Sequence, residues 1–132
     1  MNKQEYLALG AQRWYQGDMK GAYESYDQAI QLDSNYAEAY CGRGYALQDL
    51  CQYQAAFDDY SRAIGLNPEL ADAYINRATL RYQVRDFTDA IEDAERAAEL
   101  FSIQGNMEGF VRSKSFVEHA LEKQMIYAIL SN

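Results

Sequence analysis

His119 is the only histidine in the sequence, and the two cysteines, Cys41 and Cys51, are not grouped with it. Zinc needs several N, S or O ligands converging on one point, so this set does not supply an ordinary zinc site. His119 is read as a surface residue of the last helix. Two carboxylate pairs, Asp58-Asp59 and Glu92-Asp93, have the composition of an acid–base couple. They recur 34 residues apart in acidic, helix-surface contexts, where solvation and ion pairing account for them. No phosphate-binding glycine loop, nucleophile elbow or metal-ligand spacing is found. Gly42 and Gly44 belong to a helix-packing register instead. No catalytic, cofactor-binding or metal residue is assigned, and the sequence predicts a non-catalytic protein.

The elements that carry these residues are helical. Apolar residues make up 48% of the 132 and there is one proline, a composition that suits a folded, helix-rich chain. Cys41 and Cys51 stand ten positions apart, which on one helix is roughly 15 Å of rise, beyond the reach of a disulfide. They are read as free thiols. The formal charge of −8 would repel a phosphate backbone, which argues against nucleic acid as a partner. The first thirty residues lack the basic, apolar and small-residue succession of a signal segment, and no apolar run approaches membrane-spanning length. A soluble, cytoplasmic protein with no membrane insertion is expected.

Sliding the sequence along itself by 34 positions aligns Tyr6 with Tyr40 and Tyr74, Gly10 with Gly44 and Ala78, and Ala22 with Ala56 and Ala90. Ala29, Ala63 and Ala97 form a further small column, Leu32, Leu66 and Leu100 an apolar one, and Met19, Tyr53 and Phe87 a bulky one. Small residues at this spacing let two antiparallel helices approach, and larger neighbours such as Tyr26 and Tyr60 fill the gaps beside them. Ala94 holds that large position in the third unit. Gly17-Asp18 and Asn67-Pro68 supply breaks, the latter because a residue before proline disfavours helix. Arg43 and Arg77 recur at the same interval, as do Asp59 and Asp93, which predicts planar Arg–Asp pairs across the two helices of a unit.

These columns resemble those of tetratricopeptide repeat proteins of the small bacterial type, over residues 3 to 104. Ser34 and Ser102 replace the usual unit-ending proline, and Cys51 and Arg85 stand where a turn glycine is common, which puts turn geometry in question. The resemblance implies an all-α fold: a right-handed α-solenoid of three tetratricopeptide helix pairs plus a C-terminal capping helix. One domain over 1–132 is expected, with repeats at about 3–36, 37–70 and 71–104 and a capping helix at about 107–130. Helices are placed at about 3–16, 19–33, 37–50, 53–66, 71–84 and 87–101. Phe110, Val117, Leu121, Met125 and Ala128 recur at helical intervals and are expected to cover the third pair.

At 100° per residue, Leu7, Ala11 and Tyr15 turn away from the packing side of the first helix, with Trp14 near its edge. The resemblance makes that face a concave peptide-binding groove. It continues through Glu38, Cys41, Tyr45, Gln48 and Asp49 in the second unit, and through Asp72, Ile75, Thr79 and Tyr82 in the third. Three carboxylates, several rings and no lysine or arginine favour an apolar and basic peptide or helix of another protein. The basic and amide clamp of the chaperone-tail-binding subgroup is replaced by Leu7, Ala11, Gly42, Asp72 and Asn76, of which only Asn76 offers a suitable donor. The resemblance thus implies a scaffold or assembly factor that needs no cofactor. Alternatives are a chaperone like those of bacterial secretion systems, and a self-assembling unit or homodimer through the apolar C-terminal helix, Met125 to Leu130.

Overall fold

The computed structural model describes residues 1–131, and among them it contains seven helices and no strand. They are α1 (Lys3–Tyr15), α2 (Met19–Leu32), α3 (Ala37–Asp49), α4 (Tyr53–Leu66), α5 (Ala71–Gln83), α6 (Phe87–Ile103) and α7 (Met107–Leu130). The largest departure from the expected bounds is at α6, which continues to Ile103. The chain forms two compact units, Met1–Ala73 and Tyr74–Asn132.

The turns explain why helices start and stop where they do. After α1, the N–H of Gly17 donates to the Trp14 carbonyl at 2.9 Å and that of Asp18 to the Arg13 carbonyl at 2.9 Å, a Schellman closure. The same paired bonds follow α3 through Cys51 and Gln52, α5 through Arg85 and Asp86, and α6 through Gly105 and Asn106. Each closure needs one left-handed residue. Gly17 and Gly105 meet that need with φ of 82° and 76°; Cys51 and Arg85 adopt φ of 62° and 64° despite their side chains. The turn is therefore kept where glycine is missing, and the departures at 51 and 85 do not alter it. The Asp18 and Asn106 side chains then cap the next helix by accepting the N–H of Gly21 and Gly109.

In the first unit, the Tyr26 ring fills the space that small residues leave. A Cβ on Gly10 of α1 would stand 2.7 Å from that ring, and one on Gly42 of α3 would stand 2.5 Å from it. Tyr60 repeats the arrangement: it is fully buried, and a Cβ on Gly44 would meet it at 2.8 Å. Ala22, Ala29, Ala56 and Ala63 have no exposed surface. The small columns thus mark real close approaches.

In the second unit, α7 lies along α6. Its buried residues are Gly109, Ser113, Val117 and Ala120, and a Cβ on Gly109 would come within 2.6 Å of the Phe101 ring. Of the residues expected to cover the third pair, Val117 is buried and Phe110 half-buried, whereas Leu121, Met125 and Ala128 face outward. The helix turns a small-residue seam inward, because Gly109, Ser113 and Ala120 let α7 approach α6 more closely than a leucine stripe would.

Candidate functional site

The four acidic residues that could suggest chemistry are held in two ways. Asp59 and Asp93 are buried, which corrects the expectation of helix-surface carboxylates. Arg43 donates from Nε to Asp59 Oδ2 at 2.8 Å and from Nη2 to Oδ1 at 2.9 Å, while its Nη1 reaches Asp27 at 2.8 Å. Arg62 adds a bond to Asp59 at 3.1 Å. In the second unit Arg77 grips Asp93 with the same fork, at 2.8 and 2.9 Å. The hydrogen-bonded carboxylates raise the pKa of both arginines, against an opposing effect of burial. These are the planar pairs the 34-residue interval predicts, and they fasten the two helices of a pair. Asp58 and Glu92 stay exposed. Among the described residues no group of acidic, histidine or cysteine side chains could hold a metal, and no helix is long and apolar enough to cross a membrane.

What remains is a surface. In the first unit, Trp14 of α1 and Tyr45 of α3 meet edge to face with centroids 5.0 Å apart, and Trp14 makes the same contact with Tyr15 at 5.5 Å. The Trp14 indole N–H donates to Asp49 Oδ2 at 2.9 Å. Tyr15 is 86% exposed and Tyr45 39%. Ala11, one turn before Tyr15 on α1, and Asp49, one turn after Tyr45 on α3, are exposed, as is Glu38 in the first turn of α3. Leu7 and the inner edge of Trp14 pack on Ala22, Tyr26 and Ala46, so Leu7 anchors the patch from beneath. Gln48 is turned to packing as well, accepting the buried Tyr60 hydroxyl at 2.7 Å. Cys41 is buried and offers almost no contact surface. Neither it nor the exposed Cys51 is in a disulfide.

Along α5, Asp72 is exposed in the first turn, while Ile75 is buried. The Thr79 hydroxyl donates to the Ile75 carbonyl at 3.0 Å, a bond within the helix. Tyr82 is half-buried and packs within the second unit. Its ring contacts Phe87 at 5.5 Å, Phe116 at 5.6 Å and His119 at 5.6 Å, and its hydroxyl shares a 2.8 Å hydrogen bond with His119 Nε2. Tyr82 and His119 are thus packing partners between α5 and α7. Phase along one helix could not reveal this, since it depends on how α7 is rotated against α6. The Trp14–Asp49 bond did leave a trace in the sequence: the two residues are separated by 35 positions, one repeat and one residue, which sets them on neighbouring first helices.

Two family models match, one described as TPR repeat over residues 10–50 and one as tetratricopeptide repeat over residues 37–70. No curated protein matches the sequence. Among solved structures, the TPR2B domain of yeast Sti1, in a pHsp70 complex, is 23% identical with a TM-score of 0.84, over 92% of this chain and 97% of that one. The type III secretion translocator chaperone SycD of Yersinia enterocolitica is 20% identical with a TM-score of 0.84, over 92% and 85% of the two chains. PcrH, in complex with the chaperone-binding region of PopD, is 20% identical with a TM-score of 0.85, over 92% of each chain. At these identities the likeness is one of fold.

Proposed function

The chain is a tetratricopeptide repeat protein, with an all-α fold of three helix pairs and a seventh helix, and we propose that it is a non-catalytic scaffold or assembly factor that binds a segment of another protein. The observation that carries this is the ring cluster of Trp14, Tyr15 and Tyr45, which leaves Tyr15 and part of Tyr45 open to solvent and holds Asp49 on the Trp14 indole, with Glu38 exposed two turns before Tyr45 on α3. Rings that combine an apolar face with a polar tip are frequent anchors at protein interfaces. Carboxylates around them select for basic residues in the partner. The proposed occupant is therefore a peptide or helix that is apolar and basic, engaging the first unit through these residues, with Asp72 at the start of α5 as a further acidic contact of that unit. The whole chain, residues 1–132, is proposed to serve as one domain, working in the cytoplasm.

The test is a peptide array scored against the purified protein, with apolar–basic, apolar–acidic and polar peptides side by side. Apolar–basic peptides should bind preferentially. Tyr15→Ala with Tyr45→Ala should weaken the best of them at least about tenfold, equal to about 1.4 kcal/mol. Glu38→Gln with Asp49→Asn should chiefly lower the salt sensitivity of binding. Equal binding of acidic and basic peptides, or wild-type affinity in both variants, would remove this surface from the proposal.

The likeness to SycD and to PcrH favours a second reading, a chaperone that holds a subunit of an export apparatus before release. Its partner would be a longer chain kept unfolded. Co-expression that solubilises an otherwise aggregating partner would separate this reading from simple scaffolding.

A further inference from the structure

Seven helical positions along α7, Met107, Val111, Lys114, Glu118, Leu121, Met125 and Ala128, follow one another at alternating steps of four and three. At 100° per residue they form a narrow stripe, on the side of the helix away from Gly109, Ser113 and Ala120. All seven are exposed, Met107 by 61%, Val111 by 57%, Leu121 by 46% and Met125 by 63%. A stripe of four large apolar side chains on the outer face of a helix that already packs on its inner face is a surface for another helix.

The order of residues in the stripe says which helix. Its first six residues are symmetric about position 116, with Ala128 beyond the symmetric part: apolar Met107 mirrors Met125, Val111 mirrors Leu121, and Lys114 mirrors Glu118 of opposite charge. We propose that α7 pairs with α7 of a second copy of this chain, antiparallel, with the two-fold axis at position 116, so that Lys114 of each protomer faces the partner's Glu118. In that register methionine meets methionine, valine meets leucine, and the two charges at the centre cancel twice. This is the self-complementarity an isologous interface requires. A shift by one step of the stripe would set Lys114 or Glu118 against an apolar side chain, so the charges fix the register as well as the partner.

Two further facts support a second copy over an unrelated helix. The chain carries a formal charge of −8, which opposes association of its copies in general, and the stripe, with one lysine and one glutamate, is a face where two copies meet without adding to that repulsion. Lys114 precedes Glu118 by four residues, the less favourable order for a pair within one helix, which leaves both charges disposed to an external partner. An interface of one helix per protomer lies at the small end of the range, so the dimer should dissociate on dilution.

Sedimentation equilibrium over a hundredfold range of concentration, with circular dichroism to verify folding, tests this on the full chain. The wild type should pass from monomer to dimer. Lys114→Glu sets glutamate against glutamate across the axis and Glu118→Lys sets lysine against lysine, so each should raise the dissociation constant at least about tenfold. The double variant Lys114→Glu with Glu118→Lys restores opposite charges and should bring the constant back to within about threefold of wild type. A wild type that is monomeric throughout would overturn the proposal and leave the stripe to a different protein. Dimers that persist in both single variants would place the contact elsewhere, and single-variant losses without rescue by the double would overturn the antiparallel register.

Discussion

Arg43 closes a two-bond fork on the buried carboxylate of Asp59 and thereby ties α3 to α4. Removing one partner of a buried ion pair leaves the other charge without compensation, which typically costs 3–5 kcal/mol. Asp59→Ala should therefore destabilise the protein by about 3 kcal/mol, since Arg43 loses the carboxylate that accepts two of its bonds and keeps Asp27 and the Tyr23 and Tyr40 rings. Arg43→Leu with Asp59→Ala should cost much less than the two single changes added together, because neither charge is then stranded. Urea denaturation of the four proteins in this cycle checks it, and additive losses would show that the fork carries no coupling.

Cys51 and Arg85 hold a left-handed backbone that glycine adopts without strain. Cys51→Gly should stabilise the protein by about 1 kcal/mol, as relief of strain exceeds the added freedom of the unfolded chain. Arg85→Gly should be close to neutral. There the same relief is offset by loss of the guanidinium stacked 4.8 Å from the Tyr127 ring, a contact of about 0.5–1 kcal/mol. Thermal melts of the two variants distinguish these outcomes.

The contrast between the two units shows what a repeat makes legible. The 34-residue interval gives the helix pairs, the close approaches at Gly10 and Gly44, and both Arg–Asp forks, because each column reports the same environment more than once. α7 lies outside the repeats and has no second copy in the chain to average over. Its apolar residues suggest an inward face through Leu121 and Met125, while the face that packs is built from Gly109, Ser113 and Ala120. Small residues give little apolar signal yet set the distance between helices, so apolar periodicity alone mistakes the outer stripe for the seam. The same misplacement hides the contact of Tyr82 with His119.

Burial raises the pKa of the Tyr26 and Tyr60 phenols above the ordinary 10.0. Below pH 10 folded and unfolded chains both keep these protons. Above it the unfolded chain releases them first, the folded state binds more protons, and stability falls as pH rises. Tyr60 adds a slope of up to about 1.4 kcal/mol per pH unit in that window, and Tyr26 a slope of the same sign. Tyr60→Phe loses the bond to Gln48, at about 1 kcal/mol near neutrality, but it should flatten the alkaline loss by one such slope. Urea midpoints between pH 8 and 11.5 measure both effects; parallel pH profiles would show that Tyr60 does not govern alkaline unfolding.

Tyr45 and Tyr82 look interchangeable on helical phase, yet their surroundings differ and so should the cost of losing each ring. Tyr45 is partly exposed and meets the edge of Trp14, so Tyr45→Ala removes an aromatic contact and a side chain open to solvent on one side, with an expected loss of about 1–2 kcal/mol. Tyr82 is half-buried among Phe87, Phe116 and His119, and through the last two it joins α5 to α7. Truncation there leaves a cavity among three rings, and losses of about 3 kcal/mol are typical of such changes. The damage should be local to the second unit: hydrogen exchange should quicken in α7 around residues 113–120, while α1 to α3 keep their protection. Tyr82→Phe separates the ring from the hydroxyl and should cost only about 1 kcal/mol, the share of the bond to His119. If Tyr82→Ala is no more destabilising than Tyr45→Ala and leaves exchange in α7 unchanged, the aromatic cluster does not hold α7 in place.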